Sequence, residues 1–310
     1  MSGTVCLGFD TSNYTTSVAL YRALDDMLRQ QKRLLPVKEG ERGLRQSDAL
    51  FHHTCQLPDL VEALAPRDVT CVAVSDRPRE AEGSYMPCFL AGVGAARQLA
   101  AVLNVPLHTF THQQGHVAAA IYGAGDLSLF EKRFLAFHVS GGTTDALLVE
   151  PHGERVITCR QVAGSLDLKA GQLIDRVGVA MGLAFPAGPA MEQLALSASQ
   201  IYSPRVSMDG VNCHLSGAEN QCRAQIEKGV APAEVARFCL DMVRVTLEEM
   251  TVRLLAEYGD LPLLYAGGVM SNSIIKQAIT ERFGGLFAPP VLSADNAAGI
   301  ALLGAMKETM

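Results

Sequence analysis

A stretch of sixteen residues near the start of the chain returns once, far downstream. Residues 6–21 (CLGFDTSNYTTSVALY) align without gaps on residues 134–149 (FLAFHVSGGTTDALLV) at a constant offset of 128. Leu7/Leu135, Phe9/Phe137, Ser12/Ser140, Thr15/Thr143, Thr16/Thr144 and Leu20/Leu148 are identical. Self-similarity at a fixed offset marks a repeated structural unit, although any two hairpins share some strand and turn composition. Each copy reads as an apolar strand, a small polar turn with Ser-x-x-Thr-Thr, and a second apolar strand. That is a hairpin whose tip carries hydroxyls and backbone N–H groups, and such a tip suits an anion. One copy opens each half of the chain, so the pattern predicts a duplicated, two-lobed architecture that holds a nucleotide.

The rest of the pattern is that of an α/β protein. Residues 70–75 read as a buried strand, 86–104 as a helix closed before Pro106, and 168–182, 189–199, 217–228 and 231–257 as helices. LPLLYAGG at 261–268 reads as a strand ending in a double glycine, with a helix following over 271–283 and a last one over 295–309. The expected division is a first lobe over 1–128, a second over 129–294, and a final helix, 295–310, that packs back on the first lobe, with a hinge near 125–132. A chain of 310 residues, 48% hydrophobic and 19% charged, has ample material for both cores. No window approaches the roughly 18 uninterrupted apolar residues of a membrane span, and the start lacks the basic and apolar regions of a leader. No membrane role and a cytoplasmic location are expected. The eight cysteines show no CxxC spacing, so neither a zinc ribbon nor a dithiol redox site is indicated.

His112 and His116 stand four apart at the start of the helical run HQQGHVAAAIY. That spacing puts both imidazoles on one helical face, where they can share an ion, or simply meet solvent. HExxH peptidase chemistry is excluded, because the position after the first histidine is Gln113, which cannot act as a general base. Two histidines leave an ion under-coordinated, so a carboxylate is expected to complete the set. Asp295, in SADNAAGIA, is the candidate; it also reads as the N-cap of the last helix.

Ser140-Gly141-Gly142-Thr143-Thr144 allows a ligand close to the backbone, its glycines free to take positive φ. Gly267-Gly268, between a strand and a helix, is a second backbone cradle or an ordinary tight turn. Asp175 is either an acceptor for ribose hydroxyls or a partner for its neighbour Arg176. FPAGP at 185–189 packs against a nucleoside or merely breaks a helix.

Taken in order, DTSNYTTSVAL, HQQGH, VSGGTTDAL, SLDLKAGQLIDR, FPAGP, HLSGAENQ, AGGVMSN and ADNAAGIALLGA resemble the TsaD (Gcp/YgjD, Kae-type) family of tRNA threonylcarbamoyl transferases, through nearly the whole chain. The resemblance implies an actin-like ATPase/sugar-kinase fold. It implies transfer of threonylcarbamoyl from threonylcarbamoyl-AMP to N6 of adenosine-37 in tRNA, with TsaB-like and TsaE-like protein partners. Carried over position by position, it makes His112, His116 and Asp295 ligands of one divalent ion, Fe2+ or Zn2+. His138, Val139, Ser140, Gly141, Gly142, Asp175, Gly188 and Asn272 become contacts to the adenine nucleotide or threonylcarbamoyl-AMP. Asp10 orients water, metal or substrate, or satisfies local amides as a turn carboxylate.

The chain departs from the family pattern at several positions. Asp10 replaces a Glu, Thr143 a His and Gln172 a Glu; Glu219 replaces a Lys, and residues 75–87 (SDRPREAEGSYMP) replace a Gly-Pro-Gly loop. Glu219 and that loop favour a competing reading, a nucleotide-binding relative of the same fold that acts on a non-tRNA substrate. A non-catalytic scaffold is a third, which the retained histidines argue against. With 26 basic and 32 acidic residues the chain carries −6, so little of the grip on an RNA is expected from it alone.

Overall fold

A computed structural model describes residues 3–12, 14–36, 44–293 and 297–310. The chain divides into two compact units: Met1–Lys132 with Glu150–Cys159 and Val291–Met310, and Arg133–Val149 with Arg160–Pro290. Among the described residues no helix is long and apolar enough to cross a membrane.

In the first unit, β1 (Val5–Asp10), β2 (Thr15–Arg22) and β3 (Met27–Leu34) form an antiparallel meander. The helix α1 (Gln46–Leu64) leads to β4 (Cys71–Arg77), which lies parallel to β1. Then α2 (Phe89–Leu103) leads to β5 (Leu107–Thr111), parallel to β4, and the sheet order is β3-β2-β1-β4-β5. The helix α3 (His112–Ala124) follows at once, and a 3-10 turn (Leu127–Glu131) closes the segment.

The second unit repeats this plan. The strands β6 (Phe134–Val139), β7 (Thr144–His152) and β8 (Val156–Gly164) form the meander, of which Glu150–Cys159, with the end of β7 and the start of β8, counts to the first unit. The helices α4 (Ala170–Ala180) and α5 (Gly188–Leu196), the short hairpin β9 (Ser207–Asp209) and β10 (Asn212–His214), then α6 (Ser216–Glu227) and α7 (Pro232–Tyr258) intervene before β11 (Leu263–Ala266). A 3-10 turn (Gly268–Ser271) and α8 (Ser273–Phe283) lead to β12 (Leu286–Phe287), and the sheet order is β12-β11-β6-β7-β8. Read from the meander inward, the two orders are the same. The registers agree too: Leu7 pairs with Leu20 as Leu135 pairs with Leu148, and Asp10 with Ser17 as His138 with Asp145. The short α9 (Pro290–Ser293) and α10 (Ala298–Lys307) end the chain.

Each sheet buries an apolar face. Leu7, Phe9, Val18, Val72 and Val74 pack with Leu57, Leu60 and Leu64 of α1 and Ala96 and Ala100 of α2. Leu135, Phe137, Val139, Ala146 and Leu148 pack against α4, α7 and α8, and Phe137, Tyr265 and Phe287 stack across three adjacent strands with ring centroids 5.1 and 4.9 Å apart. The last helix begins later than its sequence predicts. Its N-cap is Ala297; Asp295, the candidate cap and ligand, lies outside the described residues.

The approach of α10 is set by glycines. A Cβ on Gly8 of β1 would lie 2.7 Å from the Ala301 nitrogen, and one on Gly299 only 1.9 Å from the Gly115 carbonyl oxygen. No rotamer relieves a backbone clash. Gly299→Ala is therefore expected to destabilise the protein by roughly 3 kcal/mol, as overpacking does when backbone must move; urea denaturation, compared with Gly94→Ala, where a Cβ meets open space, checks this.

Candidate functional site

The first cluster lies in the first unit. Thr111 ends β5 and caps α3: its Oγ1 accepts from the Gln114 amide at 3.1 Å, while Gln114 Oε1 accepts from the Thr111 amide at 2.7 Å. His112 is thus the first helical residue, and His116 follows one turn on. Their Nε2 atoms are 2.9 Å apart, with ring centroids at 4.3 Å. Beneath them Asp10, 1% exposed, has both carboxylate oxygens engaged. Oδ2 accepts from His112 Nδ1 at 2.6 Å and Oδ1 from the Ser12 amide at 2.9 Å. Asp10 thus satisfies a local amide as a turn carboxylate, and its second oxygen meets the His112 ring, a contact that neither sequence reading named.

With Nδ1–H donating to Asp10, His112 keeps its lone pair on Nε2, aimed at His116. This donor set fits a metal ion, since with His116 carrying its proton on Nδ1 both Nε2 lone pairs converge on one point. Among the described residues no group of three or more His, Cys, Asp or Glu side chains is arranged to hold a metal ion. The replaced loop at 75–87 belongs to this neighbourhood, because Gln113 of α3 donates its amide to the Pro78 carbonyl at 3.0 Å.

The second cluster lies in the second unit, at the ends of β6 and β11 where ligands of α/β sheets collect. The Ser140–Thr143 turn uses some of its own donors. Ser140 N donates to the Thr143 carbonyl at 2.8 Å and Thr143 N to Ser140 Oγ at 3.2 Å. The amides of Gly141 and Gly142, both exposed, have no acceptor among the described residues. Neither glycine has positive φ, contrary to the expectation. Glycine is required elsewhere: a Cβ on Gly171 would sit 2.6 Å from Gly141 N, and Gly267, at φ 100°, brings its Cα so close to β6 that a Cβ would lie 2.2 Å from the Val139 carbonyl oxygen.

Asp175 does not pair with Arg176. Its Oδ1 accepts from the Ala187 amide at 2.8 Å, which holds the FPAGP loop, with its cis Phe185–Pro186 bond, beside α4. Gly188 opens α5. Asn272 caps α8, accepting from the Ile275 amide at 3.2 Å and donating to Glu192 at 3.1 Å, and Glu192 also receives Ser273. His138, next to last in β6, pairs with Ala266 at the end of β11. A cavity of about 430 Å³ opens next to Asp175, lined by Gln172, Arg176, Val179, Ala180, Phe185 and Arg223.

Glu219, the charge reversal, sits between two cations of this cavity, 3.2 Å from Arg176 and 2.8 Å from Arg223. Burial pushes its carboxyl pKa up, but the two guanidiniums win and hold it below the usual value. The three side chains sum to one positive charge, so the anion is compensated on the spot.

Two positioning groups escaped the sequence reading. Thr144 Oγ1 accepts from the Ala170 amide at 2.8 Å, tying the turn to the start of α4, and its counterpart Thr16 lies 2.8 Å from His53 and 2.7 Å from Gln56 of α1. The repeated second Thr was the available signal. Asp167 accepts from the amides of Leu168, Leu215 and Ser216 and from Ser216 Oγ, joining the starts of α4 and α6; nothing local in sequence announces it.

The family's sequence profile, TsaD, tRNA N6-adenosine threonylcarbamoyltransferase, matches residues 47–302. The chain belongs to the TsaD family. It is accordingly a transferase of the acyltransferase type. A tRNA N6-adenosine threonylcarbamoyltransferase of Thermus thermophilus is 32% identical over 96% of this chain and 90% of its own length. One from Methanopyrus kandleri is 28% identical over 97% and 86%. Among solved structures, full-length HypF superposes with a TM-score of 0.62 at 12% identity, over 98% of this chain and 55% of that one. Component A of the (R)-2-hydroxyglutaryl-CoA dehydratase of Acidaminococcus fermentans gives 0.56 at 12%, over 99% and 100%. These likenesses bear on the fold alone, and they agree with the actin-like ATPase/sugar-kinase class expected for a family member.

Asp167 makes the folding of this family member acid-sensitive. Burial raises its pKa, but the hydrogen bonds from Ser216, Leu215 and Leu168 prevail and hold it at about 2, against 3.8 ordinarily. A depressed carboxyl pKa contributes stability that is complete above the unfolded value and lost as pH falls through the folded one. Screened by solvent at this largely exposed carboxylate, on the order of 1 kcal/mol is therefore expected to vanish between about pH 4 and pH 2. Asp167→Asn should remove this component of the slope, read from urea midpoints across that range.

Proposed function

We infer that this chain transfers threonylcarbamoyl from threonylcarbamoyl-AMP to N6 of adenosine-37 in tRNA, with one divalent ion, Fe2+ or Zn2+, held by His112, His116 and Asp295. The observation that carries the reading is the Asp10–His112–His116 chain, with two Nε2 atoms 2.9 Å apart, in a member of this family. A bound ion supplies electrophilic polarisation of a carbonyl and neutralisation of phosphate oxygens. The chain's own residues do the rest. Asp10 fixes the His112 tautomer, as carboxylate partners of metal-bound histidines do. The Gly141 and Gly142 amides receive phosphate oxygens, and the carboxylate of Asp175 and the side chain of Asn272 receive the nucleoside, with His138, Val139, Ser140 and Gly188 shaping the backbone around it. In the transfer a bond forms between adenine N6 and the carbamoyl carbon, the bond from that carbon to the AMP oxygen breaks, AMP leaves, and the N6 proton passes to solvent. No protein nucleophile is needed.

The competing reading, a non-tRNA substrate, drew on Glu219 and on the replaced loop at 75–87. The pairing of Glu219 with Arg176 and Arg223 weakens that part of the argument, since the carboxylate is neutralised where it stands and both guanidiniums still line the cavity. We assign the chain to the cytoplasm, working with TsaB-like and TsaE-like partners that supply the intermediate and help hold the tRNA. Nucleoside analysis of tRNA from a strain lacking the gene should show loss of threonylcarbamoyladenosine, restored by wild type and not by His116→Ala. Elemental analysis should find about one metal per chain in wild type and little in the variant; an unchanged nucleoside profile in the deletion strain would overturn the assignment. The isolated chain, at −6, should bind tRNA weakly and gain affinity with its partners, measured by filter binding over a salt series.

A further inference from the structure

Gln114 is 1% exposed and makes more hydrogen bonds than a helix cap requires. Its Oε1 and its amide complete the capping box with Thr111, and its Nε2 donates to the Ile157 carbonyl of β8 at 2.6 Å. First turns of helices fray, because their amides lack partners within the helix. His112 is the first residue of α3, so its ring is only as well placed as that turn. The box closes the turn on itself, and the bond to Ile157 anchors the turn to a strand. Asp10 grips the ring from the sheet, while Gln114 grips the backbone that carries it.

We propose that Gln114 is a positioning residue for the metal ligands: its bond to Ile157 holds the first turn of α3 so that His112 and His116 present their Nε2 atoms to one ion. This rests on the metal reading above. The two bonds separate by substitution. Gln114→Glu keeps the acceptor for the Thr111 amide and loses the donor to Ile157, whereas Gln114→Ala loses both.

The test is titration of chelator-treated full-length protein with Co2+, following visible absorption, for wild type, Gln114→Glu, Gln114→Ala and His112→Ala, with thermal melts in EDTA alongside. Wild type is expected to show a ligand-field spectrum that His112→Ala lacks. Both Gln114 variants should bind Co2+ about 10- to 100-fold more weakly, as loss of outer-shell partners does, with altered band positions at temperatures well below their melting. A role in folding alone would lower the melting temperature and leave affinity and spectrum at wild-type values; that result overturns the proposal while the metal reading stands. If wild type and His112→Ala bind Co2+ alike, the metal reading fails and the proposal with it. Should Gln114→Ala not fold, Gln114→Glu decides.

Discussion

An ionised carboxylate buried to 1% exposure has to be satisfied completely, and at the end of β1 that requirement organises the first unit. Asp10 meets it with the Ser12 amide and the His112 ring. In the order β1-β4-β5 the aspartate ends one strand and the histidine follows another, so the contact reaches across the carboxyl end of the parallel part of the sheet. Two residues earlier, and so on the same face, Gly8 admits α10 at backbone distance. One strand thus fixes both the histidine and the helix that packs on α3. Separating the partners would leave a buried charge alone, which is why this contact constrains the structure more than its single hydrogen bond implies.

The duplicated hairpin shows what a repeated frame keeps and what it releases. Strand register and sheet order are kept, and so is the second Thr, whose hydroxyl engages a helix in both units: α1 through His53 and Gln56, α4 through the Ala170 amide. These features set where the turn lies. The position that pairs with Ser17 in one copy and with Asp145 in the other is released, Asp10 in the first and His138 in the second. The turn itself is released as well, since Gly141 and Gly142 stand at the positions of Asn13 and Tyr14. The first copy uses its tip to orient an imidazole, and the second leaves two amides exposed. A shared frame therefore supports two different chemistries without a change of topology.

What could be read in the sequence follows from the range of the interactions. The hairpins and the helices α4 to α7 show themselves because burial on one face imposes a period on nearby residues. The strand β3 escaped, since MLRQQKRL is a polar edge strand without an apolar face, and α1 escaped because Pro58 interrupts QSDALFHHTCQLPDLVEAL. Gly267 was read as a place where backbone comes close, and it is crowded against β6 at positive φ; the positive φ open to Gly141 and Gly142 is not used, and the crowding at Gly171 had no local signal. The histidine pair was legible from its spacing. Its grip by Asp10 was not, because 102 residues separate the two and no local pattern encodes their meeting. Asp167 and Gln114 are of the same kind, groups whose role exists only once distant backbone amides and carbonyls have been brought to them.

Glu219 illustrates how a residue-by-residue comparison misjudges charge. Replacing a lysine by a glutamate reads as a reversal of two units, enough to repel a phosphate from the face that carried the cation. In the folded chain the carboxylate is 11% exposed and lies between guanidiniums that are about half exposed, Arg176 at 56% and Arg223 at 48%. The anion is therefore the inward member of the cluster and the cations the outward ones. An incoming polyanion would meet the arginines first, and the glutamate behind them fixes their spacing. Lysine presents one strongly hydrated point charge, whereas two arginines present planar forks that can bind phosphate oxygens in pairs. The departure thus puts a carboxylate behind a pair of guanidiniums that it braces, so that a negative ligand at this face would be gripped by the two planar forks.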